Sequence, residues 1–446
     1  MRYPRTTLYV LSAVLMAVVA TSAPVRAEEP LSRGKRWVRN HPLTTMALTM
    51  VPSLFEPDVY GGANLNTVLC WKTRPALLSK AVAAKMPWHL HVYPHKDGLT
   101  EELKASLTKI HDDHPGQTGW MVWDEPKRSQ MFIAARTMRW LRETWPDELV
   151  YSNAYPMGAT AERYYGGPVP EGGYSYEDYL RDFATIMDSD VVMFDAYPFK
   201  EGGRTLNLFP TLMTARKIGK ERGVPYWAFV QSYSDPPRSY RMPSESDVRM
   251  QVFQHLAAGF TGIAYFTWED QQGPAIVHET GRLRPIYYDV ARLNREAVHV
   301  GQALRFLEST EVRYVPCRGN PVPEAVTAWK PGDGIEAIRA ITIEDDGPAA
   351  WKDVLVGFFT DDDGRDYFML TNLWHGMDAT AADRALTVTL TLDPKVKVAG
   401  RLSRKTGDPE MLAVTDGRLR ITLPGGTGDL LRLGDAEFPG LGSEPR

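Results

Sequence analysis

Asp124 and Glu125 stand side by side ahead of a proline, in the run Trp123-Asp124-Glu125-Pro126. Two carboxyls that share a site do not ionise alike, so one can hold and donate a proton while the other carries charge. Neighbours on an extended strand face opposite ways unless the chain is already turning. Pro126 favours that turn, because it restricts Glu125 to an extended or turn conformation and ends a strand. Both carboxyls then serve one cleft as an acid/base pair. The alternative is a Glu125 that caps a helix start and an Asp124 that pairs with an arginine. Further polar groups follow other apolar runs. Ser152-Asn153-Ala154-Tyr155-Pro156 and Phe194-Asp195-Ala196-Tyr197-Pro198 share an x-Ala-Tyr-Pro ending. It offers Asn153, Asp195, Tyr155 and Tyr197 as hydrogen-bonding contacts for a substrate, or the two tyrosines as loop packing. Gln231 closes a later run, and Trp268-Glu269 another, with Trp268 expected to floor a pocket beneath a sugar ring or to close the core. His89 and His91 share a strand face near His95, but a metal centre would need further ligands, and Asp195 is the one obvious partner. His91 is therefore read as a substrate contact, and neither a metal nor a cofactor is expected.

The elements that must position these groups alternate regularly. Runs rich in β-branched and aromatic residues cover 45–51, 66–71, 88–93, 119–123, 149–153, 190–195, 226–231 and 262–268. Helix-period segments lie between them at 75–85, 100–112, 129–143, 176–187, 208–222 and 244–258, with a closing helix at 285–307. Eight such units predict a (β/α)8 TIM barrel, and no Gly-x-Gly-x-x-Gly follows the first strand to suggest a dinucleotide site. In that fold the ends of the strands build the active site, which is where Asp124 and Glu125 fall. After residue 308 strands continue without helices at 354–360, 367–373, 386–392, 396–402, 419–423 and 430–433, predicting a small C-terminal antiparallel β-sandwich that covers the barrel's side.

The chain opens with Arg2 and Arg5, an apolar run over 8–20 and Val25-Arg26-Ala27, the pattern of a secretory signal peptide cut after Ala27. The expected organisation is a leader at 1–27, a catalytic barrel at 28–307 and an accessory sandwich at 308–446, with a secreted or periplasmic product. No later stretch is apolar enough to span a bilayer, so no membrane association is expected once the leader is gone. A net charge of −4 with mixed signs leaves no basic footprint for nucleic acid. No protein partner is inferred. Cys70 and Cys317, the only cysteines, make no metal or redox motif, and a buried thiol at Cys70 is preferred over a long-range disulfide. Twelve Trp and twenty Tyr are a rich supply of flat rings on which pyranoses can pack, so a carbohydrate substrate is expected.

Asp124-Glu125-Pro126 after strand four, Tyr197 after strand six, and Trp268 after the run Gly259-Phe260-Thr261-Gly262-Ile263-Ala264-Tyr265-Phe266 together resemble secreted TIM-barrel glycoside hydrolases. The pattern is most similar to the family 123 and family 20 hexosaminidases, although family 123 carries a β-sandwich before the barrel and this chain does not. The resemblance implies that Glu125 is the general acid/base. Asp124 would then orient a substrate 2-acetamido group that attacks the anomeric carbon, with Tyr197 on the acetamide carbonyl and Trp268 against its methyl. The clan of two-glutamate retaining glycosidases places a nucleophilic Glu on strand seven, where this chain has Gln231. A second carboxylate would have to be Asp195 or Glu269, about 5 Å from Glu125 for retention or further for inversion. The missing strand-seven carboxylate also leaves open a barrel that binds glycans without cleaving them, and a metal-dependent hydrolase is a third possibility.

Overall fold

The computed structural model describes residues 30–94, 96–204, 208–344 and 352–442, so the expected leader and His95 lie outside the described residues. Eight parallel strands close into a barrel: Thr44–Thr49, Thr67–Cys70, Trp88–Val92, Gln117–Asp124, Leu149–Ala154, Val192–Asp195, Tyr226–Gln231 and Gly262–Phe266, here called strands one to eight. Each pairs with its sequence neighbours, and strand eight closes on strand one from Thr44↔Gly262 to Ala47↔Tyr265. Strands one, two, three, five, six and seven are buried at every residue, as expected where a parallel sheet has side chains packed on both faces. Met46, Met121, Tyr151, Met193, Trp227 and Ala264 fill the interior. Val68, Leu90, Val122, Val150, Phe194 and Ile263 alternate with such positions and meet the helices.

One helix without a counterpart in the sequence reading, Arg33–Asn40, plugs the N-terminal end of the barrel. Ser32 caps it by accepting from Lys35 N at 3.3 Å. Trp37 donates its indole N–H to Thr118 O at 3.1 Å, and its ring lies 5.8 Å from that of Trp227. The C-terminal strand ends are left as the open mouth.

Beyond the closing helix Pro285–Leu304, two sheets face each other. The larger runs in the order Thr327–Ala328, Glu308–Val315, Val354–Thr360, Asp366–Asn372, Gly428–Leu433, Val398–Leu402, Pro409–Ala413. The smaller holds Ile338–Glu344, Leu386–Leu392 and Arg418–Leu423. Within Val354–Thr360 the pleat sorts side chains cleanly: Val354, Val356 and Phe358 enter the core between the sheets, while Leu355 and Phe359 join the barrel's helix layer. Gly357 lies so close to the helix Glu245–Ala257 that an added Cβ would stand 1.7 Å from Ala257 O. Ser32–Arg446 is accordingly one compact unit. Cys70 and Cys317 are both buried free thiols, and burial pushes Cys70 up to about 12. Among the described residues no helix is long and apolar enough to cross a membrane.

Candidate active site

The site owes its shape to an irregularity at the end of strand four. Its pairing with strand five shifts register between Met121 and Asp124, and Trp123 and Glu125 take φ values of +68° and +50°. That left-handed region costs a non-glycine residue about 1–2 kcal/mol, so the surroundings must hold it. Glu125 N donates to Asn153 O at 2.8 Å, and the buried Trp123 ring sits 4.6 Å from that of Tyr93. A regular pleat would send Asp124 and Glu125 to opposite faces; the bulge turns both into one cavity.

This cavity, about 800 Å³ in volume, occupies the barrel mouth and brings together Asp124, Glu125, Asn153, Asp195 and Tyr197. Asn153 Nδ2 donates to Asp124 Oδ1 at 3.0 Å and to Asp195 Oδ1 at 3.2 Å, so one amide bridges the carboxyls of strands four and six. Burial raises Asp124 above its ordinary range, and the Asn153 bond opposes that rise. Burial, followed by the charges of Glu125 and Asp124, pushes Asp195 well up. Glu125 is pushed up to about 7, first by burial and then by the Asp124 charge, with the Arg163 guanidinium pulling the other way. Three carboxyls this poorly solvated do not all ionise together, so the cluster keeps protons at neutral pH. Glu125 fronts the cavity and is placed to give one up. Behind it, Tyr155 is only 6% exposed, has Arg163 5.2 Å over its ring and does not line the cavity.

Besides Tyr155, four expected contacts lie off the cavity. Trp268 does not floor the pocket: strand eight ends at Phe266, and beyond it the indole turns outward into the helix layer. There it donates to Leu54 O at 3.2 Å and packs on Tyr60 at 4.8 Å. Phe266 takes the cavity position instead. Glu269 is fully buried off the cavity, where Oε1 accepts from Met50 N at 2.7 Å and Val51 N at 3.0 Å and so ties down the chain after strand one. Gln231 spends its amide on the backbone of Phe199 and Arg241, bracing the short hairpin Phe199–Lys200/Gly203–Arg204 rather than reaching a ligand. His91 stacks on Trp71 with centroids 3.8 Å apart and is pushed down to about 3 by burial, so it presents no edge to a sugar. His89 bonds Tyr151 Oη at 2.9 Å inside the barrel. Among the described residues no three His, Cys, Asp or Glu side chains are grouped to hold a metal ion.

Several wall residues had no motif to announce them. Trp71, Lys200, Arg238 and Tyr240 all line the cavity, the last three from the hairpin and the loop facing it. Turn signals at Glu201-Gly202-Gly203 mark that hairpin in the sequence. Met157, Gly158 and Ala159, from the loop after strand five, complete that wall.

No family model matches the sequence, and no curated protein matches it. Solved structures do. A glycoside hydrolase family 5 protein from Bacteroides vulgatus aligns over 91% of this chain and 91% of its own, at TM-score 0.53 and 9% identity. A protein described as a glycoside hydrolase aligns over 88% and 92%, at TM-score 0.50 and 10% identity. A β-galactosidase from the psychrophilic Marinomonas ef1 aligns over 59% of this chain and 62% of its own, at TM-score 0.43 and 10% identity, so the chain spans less than two thirds of that enzyme. At such identities the likeness establishes the fold: a TIM barrel with appended β-sheets, of the architecture found in glycoside hydrolases.

Proposed function

We propose that the protein is an exported glycoside hydrolase that cleaves an O-glycosidic bond in an oligo- or polysaccharide, with Glu125 as general acid/base. The observation that carries this reading is the bulge that turns Glu125 and Asp124 together into the mouth cavity, beside an Asp195 joined to Asp124 through Asn153. Protonation of the leaving oxygen needs a carboxyl that is still protonated near neutral pH, and Glu125 at about 7 meets that need. Asp124 assists by holding charge next to it and, on a 2-acetamido sugar, by orienting the acetamide for attack on the anomeric carbon. The solved glycoside hydrolases of similar fold support the reaction class.

A second reading of the partner group also has an observation in its favour. Asp195 shares the cavity, whereas Glu269 is committed to backbone amides, so Asp195 is the better second carboxylate for hydrolysis of a plain glycoside. The test is a panel of aryl glycosides with and without a 2-acetamido group, assayed with the mature protein and its Glu125→Gln, Asp124→Asn and Asp195→Asn variants. Turnover lost by about 10³-fold or more in Glu125→Gln supports the class. Restriction to acetamido substrates with a dominant Asp124 effect supports substrate assistance, and turnover of plain glycosides with a dominant Asp195 effect supports the second reading. Hydrolysis that survives in Glu125→Gln would refute the role given to that residue.

A further inference from the structure

The cavity is lined by cations as well as acids. Lys200 lines it from the hairpin Phe199–Lys200/Gly203–Arg204, whose position is fixed three times over. Gln231 clamps both the N–H and the C=O of Phe199, Arg241 N donates to Phe199 O at 3.1 Å, and Glu201 N donates to Ser239 O at 2.8 Å. The Lys200 ammonium rests 4.7 Å from the centroid of the Tyr240 ring, a contact that orients a cation without neutralising it. Among the described residues no carboxylate lies within 4.0 Å of it. Lys200 is therefore not the counter-ion of the acid cluster. Arg238 adds a second cation to the same wall; its side chain is 65% exposed, 3.5 Å from Asp235 and 3.0 Å from Gln272 Oε1.

We propose that Lys200, seconded by Arg238, forms a subsite for an anionic group on the sugar, a carboxylate or a sulfate, so that the natural substrate is an acidic glycan. The substrate class rests on the glycosidase reading; the anion subsite rests on the wall itself. A lysine held against a ring in a confined cavity and left without a carboxylate gains most from a ligand that brings its own negative charge. A neutral pyranose can accept hydrogen bonds from the ammonium but brings no counter-charge to it.

The experiment measures binding and cleavage separately, on the full chain. Affinities of Glu125→Gln are taken by ligand-observed NMR for 4-nitrophenyl glycosides paired at C6, hydroxymethyl against carboxylate and against sulfate ester, in gluco and galacto series and both anomers. Nitrophenol release by the unmutated protein is read on the same pairs. The expected result is tighter binding of an anionic member by about tenfold or more. That preference should collapse when Lys200→Met is added to Glu125→Gln, persist with Lys200→Arg, and shrink in the unmutated protein as salt is raised. Whether the carboxylate or the sulfate arm responds identifies the anion. Equal binding of neutral and anionic members, a preference indifferent to Lys200→Met and to salt, or no binding of any pair overturns the proposal. A Lys200-dependent preference without nitrophenol release from any pair keeps the anion subsite and counts against the glycosidase reading instead.

Discussion

Glu125 is where sequence, backbone and electrostatics converge. Its carboxyl is lifted from 4.5 to about 7 in the folded protein, so between those values the native state holds a proton that the unfolded chain has released. Stability from this group therefore falls as pH rises through that window, and above it Glu125 costs the fold on the order of 3 kcal/mol. Glu125→Gln should be more stable than the parent by about that amount at pH 8, with the difference gone below pH 4.5, as denaturant titrations at the two pH values would show. The same ionisation sets the alkaline limb of kcat/KM, expected to fall above pH about 7. Asn153 acts on the opposite limb. Its amide favours the charged forms of Asp124 and Asp195, so Asn153→Ala should move the acidic limb of the pH profile upward by about one unit, the value of one hydrogen bond to a charged group. An unchanged acidic limb would mean that neither aspartate needs to ionise. That Asp124, Glu125, Asn153, Asp195 and Tyr197 meet at one cavity was legible because a strand-end residue in a barrel has few places to go. Trp268, Gln231, Glu269 and His91 were misplaced because aromatic and polar residues at strand ends also close cores and brace loops, and only three-dimensional context separates the two uses.

The elements themselves follow the alternation of apolar runs closely, because each barrel strand must be apolar towards both the helices and the interior. Boundaries moved where hydrogen bonding rather than hydrophobicity decides them: strand four runs on to Asp124 through its bulge, and strand eight stops at Phe266. The strands Glu308–Val315 and Ile338–Glu344 escaped the sequence reading because they carry exposed charged residues on partly solvated sheet positions, and Pro409–Ala413 because it buries no residue and alternates exposed with half-buried ones. The helix Arg33–Asn40 escaped because its charges, four Arg or Lys in eight residues, mask the Trp37 and Val38 it buries. At this scale the sharpest prediction concerns Gly357, where strand Val354–Thr360 touches the helix Glu245–Ala257. A methyl there meets backbone, not a flexible side chain. Gly357→Ala should cost about 3 kcal/mol in chemical denaturation, at the upper end of overpacking penalties. A cost below about 0.5 kcal/mol would mean that the sheet and the helix are not in contact.

At the scale of the whole molecule, the C-terminal sheets and the barrel share one set of buried contacts. Asp247, on a barrel helix and fully buried, accepts from Arg241 of the hairpin wall and from His375 Nδ1 of the sheet region at 2.6 Å. Arg249 of the same helix holds Glu296 through two bonds of 2.9 Å, and Arg404 bonds both Glu296 and Asp429. Calorimetry of the protein should therefore show one unfolding transition, and a chain ending at 307 should fail to fold to a soluble barrel, since it would expose the apolar layer that Leu355, Phe359 and Met369 cover. Two well-separated transitions would overturn that coupling. The acid role proposed for Glu125 is tested most directly by leaving-group dependence. Glu125→Gln and the unmutated protein are compared on aryl glycosides whose phenols range from poor leaving groups to 2,4-dinitrophenol, which departs without protonation. A general acid predicts a loss of about 10³-fold on the poor leaving groups and under about tenfold on the dinitrophenyl substrate. An equal loss on all of them would contradict the assignment of Glu125 as the acid.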